Sequence, residues 1–287
     1  MLTAMNQRKL RFIGLYTGGA GTYSFHIPKW AEMVWLVGIG GAGGGGGGFS
    51  GVDAATNRGG GAGGSTANSF VICGLARMFP SSMNVTPGAG GNGGPPAGNG
   101  SAGATCRVFF RPIGTSNTTD LVAAAGGPAG NAGTSTLAGT TGGAPAAIAE
   151  FSLFSQTLCH RFMTGAAGSA GGLGSAGSNT GHNNSNPHFA PGSGGGGQGA
   201  AADFSGGVES AGNSGLFFPN GVNVPGGFYF PMWNFYHPGM GGASVRAGTG
   251  VSGGEGALGC GGGGGGSGNP GGSGGKGGDG ALWVWVS

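Results

Sequence analysis

The sequence predicts a mostly β and irregular fold: a small β-sheet framing a polyglycine-II helix bundle with long loops and at most one short α-helix. Three observations carry this expectation. Of 287 residues, 79 are Gly, roughly four times the ordinary share. Leu, Ile, Val and Phe together number 50, about 17% of the chain, too few to build an ordinary core of this length. Finally, the glycines are phased. From Gly250 to Gly280 every third residue is Gly, eleven positions in eleven.

In that window the other two frames differ. One mixes Gly with Val251, Ala257, Cys260 and Asn269; the other holds Ser252, Glu255, Leu258, Ser267, Pro270, Ser273, Lys276 and Asp279. Shorter versions occur at Gly165, Gly168, Gly171, Gly174 and Gly177, and at Gly88, Gly91 and Gly94, resuming at Gly100 and Gly103. A period of three is that of a polyproline-II-type helix, which makes no internal hydrogen bonds. Its backbone groups must therefore bond laterally to neighbours, and only Gly lets backbones approach that closely. The glycine frame is expected to face neighbours and the polar frame to face solvent. Ordering so many glycines is costly in entropy, so isolated segments should not hold and a bundle is required.

Strand signals frame the glycine segments. Tyr23, Phe25 and Ile27 alternate onto one face, and Met33–Val37 is an apolar run bounded by Gly38. At the other terminus Leu282, Val284 and Val286 alternate with Trp283 and Trp285. The two ends are expected to pair in one sheet, with Trp30, Trp35, Trp283 and Trp285 making it a small hydrophobic one. Further strands are expected at Ser69–Cys73, Met83–Val85, Thr105–Phe110 and Asp120–Val122. Residues 147–163 place Phe151, Phe154, Leu158 and Phe162 at spacings of three and four, which predicts a helix.

Two insertions stand apart. Leu216–His237 holds eight aromatics in 22 residues, with Pro219, Pro225 and Pro231 marking it as a loop. Such a segment is an exposed recognition surface, since aromatics give large contact area at low entropy cost, or else a second core, a subunit interface or a cap over the bundle end. Ser178–Pro191 is polar, carries His182 and His188, and suits hydrogen-bonding recognition.

Other classes are poorly supported. The 11 basic residues are scattered apart from Arg8, Lys9 and Arg11, so no footprint for nucleic acid is expected. No apolar run spans a membrane, and no secretory signal pattern opens the chain. Cys73, Cys106, Cys159 and Cys260 form no CxxC pair and are expected to be buried thiols. Collagen would need Gly-X-Y throughout and more than 15 Pro. Eight scattered carboxylates form no catalytic pair, and 270–277 lacks the first Gly and the Ser/Thr of a P-loop. Neither an enzyme, a metal site nor a cofactor is expected.

Tyr23-Ser-Phe-His-Ile-Pro28 leading to Val34–Gly44, Val85–Gly94, and the closing glycine run into Gly280-Ala-Leu-Trp-Val-Trp-Val286 together resemble the glycine-rich domain of phage virion surface proteins. That group includes tail-fibre adhesins whose tips are polyglycine-II sandwiches. The resemblance covers roughly residues 22–287, as one domain, after an attachment arm at 1–21. In the adhesins the loops joining the glycine helices recognise the host. By resemblance, receptor or glycan binding falls here on Phe217, Phe218, Phe228, Tyr229, Phe230, Trp233, Phe235, Tyr236, His237, His182 and His188, with Arg8, Lys9 and Arg11 as the seat. The adhesins carry a sizeable separate attachment domain and this chain has only about twenty residues before the glycine-rich fold. That difference favours a short spike, turret or decoration protein seated on a capsid. The expectation is therefore a non-enzymatic, oligomeric protein of the virion surface, assembled in the host cytoplasm against other capsid or tail proteins. A capsid or decoration protein without receptor binding, and an ice-binding glycine-helix bundle, are the alternatives.

Overall fold

A computed structural model describes residues 11–19, 21–51, 58–143, 149–150, 159–173, 196–197 and 249–287. These residues form two five-stranded antiparallel sheets, with no α-helix among them and a single 3-10 turn at Ala76–Met78. The strands are β1 (Arg11–Thr17), β2 (Tyr23–His26), β3 (Met33–Ile39), β4 (Ser69–Leu75), β5 (Ser82–Thr86), β6 (Cys106–Phe110), β7 (Thr119–Ala124), β8 (Ala149–Glu150), β9 (Cys159–Met163) and β10 (Ala281–Val286). The first sheet runs β1-β10-β3-β4-β9 and the second β2-β5-β6-β7-β8.

The two chain ends do pair: β10 lies against β3 with Trp285 opposite Trp35 and Leu282 opposite Gly38. They share their sheet with β1, β4 and β9, while β2 joins the second sheet, so the frame is a sandwich and not one small sheet. Between the sheets lie Val34, Leu36, Phe70, Ile72, Leu282, Val284 and Val286 from the first and Phe25, Met83, Val85, Val108, Leu121 and Val122 from the second. Alternation explains the choice. In β10 the even-numbered residues enter the core and Trp283 and Trp285 project from the opposite face.

Two sequence expectations are corrected. The 147–163 stretch is not helical where it is described, because Ala149–Glu150 and Cys159–Met163 are strands. β4 buries Phe70 and Ile72 and needs a partner for its second backbone edge, which β9 supplies by placing Phe162 opposite Phe70. Phe162 packs against the core from a strand as well as it would from a helix. Trp30 is not in a sheet: it sits in the turn between β2 and β3, half exposed, beneath the Arg11 guanidinium.

The glycine segments continue these strands. β3 passes at residue 40 into segment 40–51, β5 into 88–94, β7 into 125–133 and β9 into 164–173, while 58–68, 98–104 and 271–280 feed β4, β6 and β10. At the boundary the ladder becomes a lateral lattice with period three. Gly40, Gly43, Gly46 and Phe49 donate their amides to segment 58–68; Gly41, Gly44 and Gly47 donate to 98–104; Ala42, Gly45 and Gly48 donate to 271–280. The carbonyls of the same segment accept from three others, through Gly91 and Gly94, through Gly127, Gly130 and Gly133, and through Gly262, Gly265 and Gly268. Segment 40–51 thus has six neighbours at N···O distances of 2.8–3.2 Å, the hexagonal pattern of packed polyglycine-II helices. A net gain of about 0.5–1.5 kcal/mol per hydrogen bond only matches about 1–2 kcal/mol of backbone ordering per residue. The apolar sandwich supplies the surplus that holds the lattice.

The expected split between a buried glycine frame and a solvent frame holds in 250–257 and 271–280, where Ser252, Glu255, Ser273, Lys276 and Asp279 are exposed or half-buried. It fails in 259–268, where the same frame (Gly261, Gly264, Ser267) is buried. That segment lies inside the lattice, donating to 40–51 and to 250–257 and accepting from 58–68.

Candidate functional site

Strand direction gives the molecule two ends. At the sandwich end Arg11 pairs with Val286, and the Ser287 carbonyl accepts from the amides of Glu32 (2.7 Å) and Met33 (3.0 Å). At the opposite, distal end the glycine segments turn at Pro95–Gly98, where Ala97 takes φ 56°, at Thr134–Leu137, where Thr134 donates to the Leu137 carbonyl (2.8 Å), and around Pro270, whose carbonyl accepts from Gly250 (2.8 Å).

The described residues that flank the two insertions lie at this distal end. Leu173, which precedes 174–195, bridges Gly59. Gly197, which follows it and precedes 198–248, donates to Gly61 (2.8 Å) and accepts from Gly172 (2.9 Å). Gly250, just after the second insertion, is bonded to Pro270. The sequence-derived candidates His182, His188, Phe217, Phe218, Phe228, Tyr229, Phe230, Trp233, Phe235, Tyr236 and His237 lie outside the described residues, as do Arg8 and Lys9. Arg11 is described: it opens β1, its guanidinium 4.9 Å from the Trp30 ring centroid. Arg11–Thr17, assigned by sequence to an arm ahead of the fold, is the edge strand of the first sheet.

The two outer faces of the sandwich contrast in chemistry. On the first sheet Phe12, Leu15, Trp35, Val37 and Trp285 lie exposed or half-buried on one surface, with Phe12 and Trp285 rings 5.7 Å apart. Leu258, at the turn joining 250–257 to 259–268, packs against the buried cluster of Ile39, Ala67, Ala281 and Trp283. On the second sheet the outward residues are polar and mutually bonded. Ser24 donates to Asn84 (2.6 Å), Thr22 and Thr86 share a hydrogen bond (3.0 Å), and Arg107 holds Asp120 at 2.7 Å while lying over Phe109. Sequence reading found the tryptophans as marks of a small hydrophobic sheet, with Trp283 and Trp285 on the face opposite Leu282, Val284 and Val286. The signal that places them outside is their parity, opposite to Leu282, Val284 and Val286.

Two described ion pairs, Arg107–Asp120 and Lys276–Asp279, brace the scaffold. Asp279 accepts from the Gly90 amide (2.8 Å) and from Lys276 (3.1 Å), tying segment 271–280 to 88–94. Burial pushes the Cys106 thiol up to about 12, so it stays protonated and inert near neutral pH. Burial also raises Tyr16 above the usual phenol range. Among the described residues no three of His, Cys, Asp or Glu are grouped so as to hold a metal ion, and no helix is long and apolar enough to cross a membrane.

With this geometry in place, comparison with known families is informative. The model of the glycine-rich domain family matches residues 17–286. The chain belongs to that family. The match takes in the glycine-rich domain from the last residue of β1 to the last of β10, so the lattice and nearly all of both sheets fall within it. A search of curated proteins finds no match.

Proposed function

We propose that this glycine-rich domain is a structural component of a phage virion surface, a spike or adhesin that displays its insertions to a host receptor or glycan. The observation that carries the reading is polarity. Arg11 and Ser287 sit at the sandwich end, and the residues flanking 174–195 and 198–248 sit at the distal end, separated by the length of a hydrogen-bonded lattice. A rigid scaffold that joins an attachment end to long insertions is the usual arrangement for loops that carry recognition. The aromatic outer face of the first sheet, with Phe12 55% exposed, suits burial against a neighbouring virion subunit or a second copy of the chain.

The test is Trp233→Ala combined with Tyr236→Ala, measured as adsorption to host cells and as thermal stability. Loss of an aromatic hot spot of about 2 kcal/mol or more lowers apparent affinity by roughly thirtyfold while the melting temperature stays put. Unchanged adsorption would favour a decoration protein without receptor binding, and a large loss of stability would assign the segment to the core.

A further inference from the structure

Four cations that are scattered in sequence are gathered by the fold. Arg11, Lys29, Arg77 and Arg111 come from four separate places in the chain, and all reach the sandwich end. Turn 27–32 joins β2 to β3, turn 76–81 joins β4 to β5, and hairpin 111–118 joins β6 to β7. The Ile27 amide donates to the Ser81 carbonyl (3.0 Å) and the Ala76 amide to the Glu32 carbonyl (2.7 Å), which ties the first two turns together. Asn84 lies opposite Phe109 in antiparallel register, and this carries the hairpin up beside Ser82. Arg11 lies over the Trp30 ring of the first turn.

All four cations are exposed, and none is paired with a carboxylate among the described residues. Glu32 is the one exposed carboxylate described at this end, since Asp120 is held by Arg107. The other described charges, Arg58, Glu255, Lys276 and Asp279, belong to the glycine segments. Trp30, Met78 and Ile113 are exposed at the same end, one on each of the three turns.

We propose that the sandwich end docks on an acidic protein surface, its four cations meeting carboxylates and Trp30, Met78 and Ile113 meeting apolar side chains among them. This deepens the proposed function and rests on it in taking this end as the attached one. Three of the cations are Arg, whose planar fork holds a carboxylate through two parallel bonds. Arg, Trp and Met are also residues that interfaces between proteins favour. A nucleic-acid backbone pairs with cations through its phosphates and would leave the apolar side chains uncovered. A bilayer needs a continuous apolar face to bury at its headgroup boundary, whereas Ile113 is followed by exposed Gly114, Thr115, Ser116, Asn117 and Thr118.

The experiment titrates the full-length chain with a soluble peptide of alternating glutamate and leucine, and separately with phosphatidylserine vesicles and with a DNA duplex. The peptide is expected to bind most tightly, and its affinity to fall steeply from about 0.05 M to about 0.5 M salt. Arg77→Ser combined with Arg111→Ser lowers that affinity about tenfold. Ser252→Glu combined with Ser273→Glu makes the same change in net charge on the glycine segments and leaves the affinity unchanged. Ile113→Ser weakens binding to the glutamate–leucine peptide but not to polyglutamate. Tighter binding to vesicles or to the duplex, affinity indifferent to salt, or equal losses in the two double variants would overturn the proposal. The salt series on the unaltered chain decides the matter even where a substituted chain fails to fold. Host adsorption of the Trp233→Ala, Tyr236→Ala chain reads the insertions alone, so failure of the display reading and failure of the docking end are seen separately.

Discussion

At Gly264 one added methyl group would run into the Gly61 carbonyl, and at Gly265 into the Gly272 carbonyl. Both residues lie in the same six-glycine run although they belong to different frames. Ser273, by contrast, sits in the outward frame of its segment and is half-buried. Gly264→Val is therefore expected to cost about 3 kcal/mol or more, at or beyond the top of the overpacking range, while Ser273→Ala stays within about 0.5 kcal/mol. Denaturant midpoints measure both, and equal tolerance at the two sites would remove the lattice argument. Ser65 and Thr66 inside the lattice take over backbone bonds, whereas the buried Ser267 hydroxyl has no hydrogen-bond partner among the described residues. The Ser65 hydroxyl accepts from the Gly168 amide (3.0 Å) and donates to the Gly143 carbonyl (2.9 Å), and Thr66 Oγ1 accepts from Ala166 (2.6 Å).

Among elements, glycine content reports how many neighbours a segment has. Segment 250–257 bonds to two described neighbours and needs Gly in one frame, at 250, 253 and 256. Segment 271–280 bonds to four and needs it in two frames. Segment 40–51 bonds to six and carries Gly43–Gly48 without interruption. The phasing of glycine was legible in the sequence, and so were β2 to β7 and β10, whose apolar residues alternate. The neighbour count was not, because a hexaglycine run has no frame to read. β1 escaped notice since its register shifts between Phe12 and Gly14, which spoils alternation, and β9 imitated a helix through Phe162. Within the first sheet Gly38 lies under the Phe70 ring, directly opposite it. Gly38→Val forces that fully buried ring aside and Phe70→Ala leaves a cavity costing about 3–5 kcal/mol. In the double substitution the valine side chain occupies part of the space the ring vacates, so the measured cost should be less than the sum of the two single costs.

For the whole molecule, the boundary between sandwich and lattice is crossed by continuous chain at residues 39–40, 68–69, 124–125, 163–164 and 280–281. Neither half can dissolve without removing the partners that position the other. Thermal unfolding is expected to be a single transition, with loss of amide protection in the strands coincident with loss of amide protection at the lattice glycines. Two separated transitions would show that the halves are independent. The candidate site was legible only as composition: an aromatic-rich insertion and a polar one can be seen in the sequence. Their shared origin at the distal end depends on segment direction, which follows from the strand order and from no local pattern.

The six-neighbour segment also sets a timetable for synthesis. Residues 40–51 leave the ribosome before the segments they bond to, yet their amides at Ala42, Gly45 and Gly48 bond to 272–278, and carbonyls of the same stretch wait for 262, 265 and 268. β3 likewise lacks one flank until β10, which follows the other described strands in the chain, arrives. Contacts so distant in sequence are slow to close, so the earliest glycine strand is the last to be completed. A chain interrupted before residue 259 would lack two of the six segments that surround 40–51, those at 259–268 and 271–280, and β10 with them.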